Sequence, residues 1–341
     1  MSLKLYRRTL LLLMMHQQVY CQGLQFKKIE IDTSYSFRGL SVVNDSIAWV
    51  SGVGGRVGKS MNGGNKWTFD RVKGFEKSDF RTLYAFNAKT ALIANAGSPA
   101  NILRTSDGGR SWNVVYTNED SLAFFDGIDF WNDTAGIIYG DPIKGHMLLL
   151  QTKDAGKTWQ EIPEHRRPVM EIGEASFAAS GTAIRCFGKR RAVIATGGKV
   201  SRVFISNNVG QTWHAVQTPI IQGKSSQGIF SVAFTNDTTG IIVGGDYKNM
   251  TMAASHVFYT TNAGKAWKSP TMPTGGYREC VEFITDKIAI AAGPEGMDVS
   301  YNSGMSWNQL KGEKNFHVIR KARKGTLVIG AGDKRISLIT Y

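Results

Sequence analysis

One eight-residue pattern recurs six times along the chain and constrains the fold more than any other feature. Its first copies are Ser60-Met-Asn62-Gly-Gly64-Asn-Lys-Trp67, Thr105-Ser-Asp107-Gly-Gly109-Arg-Ser-Trp112 and Thr152-Lys-Asp154-Ala-Gly156-Lys-Thr-Trp159. The others are Ser206-Asn-Asn208-Val-Gly210-Gln-Thr-Trp213, Thr260-Thr-Asn262-Ala-Gly264-Lys-Ala-Trp267 and Ser300-Tyr-Asn302-Ser-Gly304-Met-Ser-Trp307. The tryptophans lie 45, 47, 54, 54 and 40 residues apart and use six of the eight in the chain, so the pattern is not a coincidence of composition. Each position has a physical job. The Asp or Asn side chain accepts hydrogen bonds from the turn's own amides, Gly permits a positive φ, and Trp buries a large apolar surface. Between copies the sequence reads as short strands, for example 82–86, 90–94, 102–105 and 112–116, separated by Gly, Asn, Asp and Pro. Four strands per period of this length predict the blades of an all-β propeller.

The pattern resembles the Asp-box, or BNR repeat, of sialidases, sortilin-type receptors and the photosystem II stability and assembly factors. In those families the box stabilises the turn between the third and fourth strands, away from the active face. The wider set Ser36-Phe-Arg38-Gly-Leu40, Phe125-Asp126-Gly127, Gly140-Asp-Pro142, Gly173-Glu-Ala175 and Gly244-Gly-Asp246-Tyr247 is similar to an exported bacterial group related to the assembly factors, some of whose members are labelled oxidoreductases. Six boxes end six blades, and residues 315–341 supply three more strands without a box. The segment Leu24 to Ile31 is expected to pair as their missing fourth strand and close a ring of seven, six and eight being the alternatives.

The first 21 residues need separate reading. Lys4, Arg7 and Arg8 precede the apolar run from Leu10 to Met15 and a polar stretch ending at Cys21, the layout of a secretory signal peptide. The run is too short to span a membrane, which takes about 20 apolar residues. Cleavage after Cys21 would leave residues 22–341 as a single propeller domain, secreted or periplasmic. Acylation of Cys21 is the lesser alternative, because bulky Tyr20 sits where a small residue is wanted. Removing the segment lowers the net charge of +14 by only three. The basic balance favours anionic partners, and the expected partner is an envelope protein or an acidic glycan. Nucleic acid is not expected, since aromatic and basic residues do not interleave. A monomer is expected. Three cysteines exclude a disulfide scaffold, and Cys186 and Cys280, assigned to non-adjacent blades, are expected as buried free thiols. The charge runs Lys189-Arg190-Arg191 and Arg320-Lys321 with Arg323-Lys324 read as solvated edges.

Candidate chemistry follows from the blade plan. Box turns lie on one face, and the starts of first strands and the loops between second and third strands lie on the other. That register directs Arg38, Arg81, Asp126, Asp141, Glu174, Asp246, Tyr247, Tyr277 and Arg278 to one mouth of the central channel. Arg38, Arg81, Arg278 and Asp246 are the expected ligand-binding set. The sialidase resemblance implies that three arginines grip a carboxylate, that Glu174 pairs with Tyr247 or Tyr277 as nucleophile, and that Asp126 or Asp141 is the acid. Phe37-Arg38-Gly39 matches only the start of the sialidase Phe/Tyr-Arg-Ile-Pro motif, and sialidases have six blades. The bland alternative is that each arginine pairs with a carboxylate of a neighbouring blade. An oxidoreductase is disfavoured, because Gly52-Val-Gly54-Gly-Arg-Val57 lacks the final glycine of a dinucleotide loop and precedes a strand. His146, His165, His214, His256 and His317 are scattered singly, so no metal and no cofactor are expected. The preferred reading is a non-catalytic binding platform that assembles or stabilises envelope proteins, with an exo-glycosidase as the alternative.

Overall fold

The computed structural model describes residues 23–31 and 35–341, and the expected leader lies outside them. The described residues fold into seven antiparallel sheets arranged as the blades of a propeller. The first blade is built from Phe37–Val42, Ala48–Gly52, Arg56–Ser60 and Thr68–Arg71, and the second from Asp79–Ala85, Ala91–Ala96, Ala100–Thr105 and Asn113–Asn118. The third runs from Phe125–Phe130 through Gly136–Ile143 and His146–Thr152 to Gln160–Glu161. The fourth is Ile184–Phe187, Arg191–Ala195, Arg202–Ser206 and His214–Gln217, and the sixth Cys280–Phe283, Ala289–Gly293, Gly296–Ser300 and Asn308–Gln309. Residues 316–340 supply Phe316–Lys321, Val328–Gly332 and Arg335–Thr340 to the seventh. Gln25–Lys28 completes that blade antiparallel to its last strand, with Gln25 opposite Thr340 and Lys28 opposite Ser337. The ring is thus closed by the N-terminal segment, as its position ahead of the first blade requires, and it supplies the outer strand of the seventh blade.

The fifth blade departs from the repeat. It comprises Gln227–Phe234, Gly240–Asp246 and Val257–Thr260, and its fourth strand is reduced to a bridge between Tyr259 and Lys268. On its inner side two short pieces, Gly197–Gly198 and Glu174–Ala175, extend the sheet toward the channel mouth. Among the described residues the sole helix is the single 3-10 turn Glu164–Arg166, and no helix is long and apolar enough to cross a membrane.

The repeated octapeptide forms the turn between third and fourth strands, by one hydrogen-bond set in all six copies. In the first, the Gly64 N–H donates to Ser60 Oγ at 2.9 Å, the Lys66 N–H donates to Asn62 Oδ1 at 2.9 Å, and the Ser60 hydroxyl donates to Asn62 Oδ1 at 3.1 Å. The Ser or Thr that opens the pattern is therefore the acceptor for the glycine amide. Two successive residues take positive φ; the first is Ala155 at 62° or Val209 at 59°, and the second is always the glycine. Glycine is required at the second because of the neighbouring blade. A Cβ on Gly156 would lie 2.4 Å from Leu92 Cδ1 of the second blade, and one on Gly304 would lie 2.7 Å from Ile241 Cγ1 of the fifth. Each box is a spacer between blades as well as a turn, and the apolar faces it aligns form the core, with Leu92, Ile137, Ile205, Ile241 and Ile329 buried.

Candidate functional site

Antiparallel strands alternate direction, so the box turns share a face with the ends of the first strands, and the opposite face carries the first-strand starts and second-strand ends. A cavity of about 410 Å³ opens on that opposite face at the channel mouth. Arg38, Arg81 and Asp126 reach it from the first three inner strands, Asp141 from the end of a second strand, and Tyr277 and Glu279 from the entry to the sixth blade. The loops at 176–179 and 247–250 complete its wall, with Phe230 between them.

The aromatic wall is ordered. Phe177 and Phe230 stack at 4.0 Å between centroids with 8° between planes, while Tyr277 meets Phe230 edge-on at 4.8 Å and Tyr247 at 6.2 Å. Facing it is the cluster around Glu279. Its Oε2 accepts from Arg38 Nη1 at 3.0 Å and lies 2.7 Å from His317 Nδ1, and Tyr277 Oη donates to Oε1 at 3.3 Å. Arg38 also donates to the Ala179 carbonyl at 2.7 Å. Burial foremost, then the Glu279 charge, push the Tyr277 hydroxyl well above its ordinary value, so it is held as a neutral phenol.

The third element is a pair of carboxyls on the third blade. Asp126 is 1% exposed, and neither of its carboxyl oxygens has a hydrogen-bond partner. Burial and then the neighbouring Asp141 push its pKa well above the usual carboxylate range, and Arg81 opposes them. Asp141 is raised by burial too, although it accepts the Ser176 N–H at 3.0 Å. Behind them the buried Tyr139 hydroxyl has no partner.

The structure brings Arg38, Arg81, Asp126, Asp141, Tyr247 and Tyr277 to one cavity and leaves the other predicted residues out of it. Arg278 is 1% exposed and fixed to Asp298 by its Nε at 2.7 Å and its Nη2 at 2.6 Å. Glu174 accepts from Arg202 Nε at 3.1 Å and from Thr196 Oγ1 at 2.5 Å, forming an internal clamp beside the extended sheet. Asp246 accepts from Gln227 Nε2 at 3.0 Å and from the Lys248 N–H at 2.9 Å, capping its own turn. Every arginine of the expected triad is held by a carboxylate, since Arg81 is bonded to Asp79 at 2.6 Å. Among the carboxyls that line the cavity, Asp126 is the one with no hydrogen-bond partner on either oxygen. The carboxylate beside Tyr277 is Glu279, not Glu174, and the alternation Tyr277-x-Glu279 entering a strand, which sets both on one side, was the available signal. Phe177 and Phe230 carried none.

The channel's other mouth is lined by paired charges. Arg185 donates to Glu282 Oε2 at 2.5 Å and to the Val232 carbonyl at 2.9 Å, and Arg320 Nη1 approaches Glu282 at 3.6 Å. Arg323 donates to Ser41 Oγ at 3.0 Å with its guanidinium 4.4 Å from the Tyr84 centroid. Arg320 and Arg323 thus face the channel instead of a solvated edge. Cys186 and Cys280 are free, in the fourth and sixth blades as expected, but only Cys280 is fully buried. Among the described residues no group of three or more His, Cys, Asp or Glu side chains converges to hold a metal ion.

Seven blades, six of them pinned by Asp-box turns, define a BNR-repeat β-propeller. Residues 92–227 match the family described as photosynthesis system II assembly factor YCF48. Among solved structures, YCF48 bound to D1 peptide is similar at 18% identity and a TM-score of 0.65, covering 92% of this chain and 96% of that one. YCF48 from Cyanidioschyzon merolae gives 14% identity and a TM-score of 0.66 over 92% and 98%. The GH74 xyloglucanase from Xanthomonas campestris gives 14% and 0.59, covering 92% of this chain and 53% of that one. At these identities the structures share the fold. No curated protein matches the sequence.

Proposed function

We propose that the protein is a non-catalytic binding platform that takes a segment of a partner protein into the channel-mouth cavity, as an exported assembly or stability factor. The observation that carries this reading is the cavity itself. It is a preformed concavity of about 410 Å³, its walls drawn from several blades, with stacked aromatic rings and a buried carboxyl that no protein group satisfies. A closed ring holds such a surface at little ordering cost on binding. The loops on the same face also expose Leu122 (62%) and Ile172 (90%), apolar side chains suited to a protein surface. A solved propeller of similar fold, YCF48, is bound to a peptide. The basic, apolar and polar layout of the first 21 residues supports export with cleavage after Cys21, and with it an envelope partner.

The test is selection from a displayed random dodecapeptide library against residues 22–341, with Phe230→Ala as the comparison. Peptides enriched on the native protein and lost with the variant support the platform. A fluorogenic glycoside panel, sialoside included, is run alongside from pH 4 to 8. Turnover abolished by Asp126→Asn would overturn the non-catalytic reading.

A further inference from the structure

The cavity's groups divide into those already satisfied and those left waiting. Arg38 and Arg81 are each engaged by a carboxylate, Glu279 and Asp79. Asp126 is engaged by nothing, although 99% of its surface is buried and it lines the cavity. A buried carboxyl without a partner costs roughly 1–3 kcal/mol. A ligand that donates to it recovers that cost, whereas a ligand carboxylate would have to compete with Glu279 or Asp79 for its arginine. Asp126 is thus a buried, uncommitted acceptor that calls for a hydrogen-bond donor.

Resting on the peptide-binding reading, we propose that the Asp126 end of the cavity receives a lysine side chain of the partner segment, its ammonium donating to Asp126 and its methylene stem lying along the Phe177, Phe230 and Tyr277 rings. The aromatic wall distinguishes this from a neutral donor. Ring faces attract a cation and cover an apolar stem, neither of which a hydroxyl supplies. The charged and titratable groups facing Asp126 are Asp141 and Tyr139 from its own blade and Arg81 from the second. Burial and Asp141 raise the pKa of the empty carboxyl, and an ammonium beside it favours the ionised form. Lysine binding expels a proton and weakens as pH falls.

Isothermal titration of residues 22–341 with acetyl-Gly-Ala-Lys-Ala-Gly-amide and its glutamate and serine counterparts tests this, in two buffers of different ionisation enthalpy at pH 7. The lysine peptide is expected to bind with net proton release, and Asp126→Asn to weaken it at least tenfold and abolish the release. Asp141→Asn serves as a second variant, and a thermal melt of each confirms folding. Equal binding of the serine peptide, or lysine binding indifferent to Asp126→Asn, overturns the ammonium. Preferred binding of the glutamate peptide, lost with Arg81→Ala, overturns it too but leaves the peptide platform standing. Absence of binding to all three, together with an empty library selection, overturns both.

Discussion

Replacing Gly156 by Ala separates the two duties of the Asp-box glycine, because the third blade supplies its own control. Gly145 and Gly156 both have left-handed backbones, φ 80° and 72°, but a Cβ on Gly145 meets nothing within 4 Å whereas one on Gly156 lies 2.4 Å from Leu92 Cδ1 and 2.9 Å from Leu92 Cδ2. The left-handed conformation costs an alanine about 1–2 kcal/mol. The stiffer unfolded chain returns about 0.4–1 kcal/mol, so Gly145→Ala is expected to destabilise by roughly 0–1.6 kcal/mol. Gly156→Ala carries the same terms plus overpacking against a side chain with no exposed surface, about 1–3 kcal/mol more. Urea midpoints compared at equal slope read the difference. A double-mutant cycle sharpens it: with Leu92→Ala, Gly156→Ala should fall to the cost of Gly145→Ala, giving a coupling of about 1–3 kcal/mol. Equal effects of the two single substitutions, or no coupling to Leu92, would show that the box is only a turn and does not space the blades.

Four other perturbations have definite outcomes. Asp126 has a folded pKa above its unfolded one, so the native state binds the extra proton and stability is lost as pH rises from about 4 toward the folded value; Asp126→Asn should be more stable than the native protein at pH 8, with the gap closing by pH 4 in urea titrations. Glu279→Gln strands Arg38 and His317, and should destabilise by about 2 kcal/mol, below the roughly 3–5 kcal/mol of a fully buried pair because Arg38 keeps 22% exposure. Deleting residues 22–31 unpairs Arg335–Thr340 and opens the ring, so light scattering should find self-association through the bared edge. Burial pushes the Cys280 thiol up to about 12, so in the native protein at pH 8 it should resist a thiol-exchange reagent that titrates it at once in guanidinium.

The fold was legible because its signal is local and repeated. Each box carries its own hydrogen-bond set within eight residues, and spacing alone gives blade number and the need for a closing strand. The fifth blade was less legible, since its fourth strand is a single bridge and the inserted 174–175 and 197–198 pieces come from segments remote in the chain. The site was half legible. Strand register aims Arg38, Arg81, Asp126, Asp141, Tyr247 and Tyr277 at one face, and that geometry follows from alternation. Pairing does not follow from it. Asp298, which neutralises Arg278, lies 20 residues away, and Glu279, which holds Arg38, lies 241 away across the ring closure.

Pairing, not placement, decides what the mouth can hold. The expected ligand-binding set is cationic, three arginines to one carboxylate, and the overall charge of +14 points the same way. Yet a guanidinium already bonded to a carboxylate offers an incoming anion little beyond a choice of partner, while a buried carboxyl with both oxygens free gains from any donor that reaches it. Overall charge acts over the Debye length, about 8 Å at physiological salt, and so governs approach to the ring. Specificity within the cavity is set at hydrogen-bond distance by Asp126. On the proposed reading, an approach field of one sign and a terminal site of the other would select a segment of mixed charge that carries a lysine where it enters the channel.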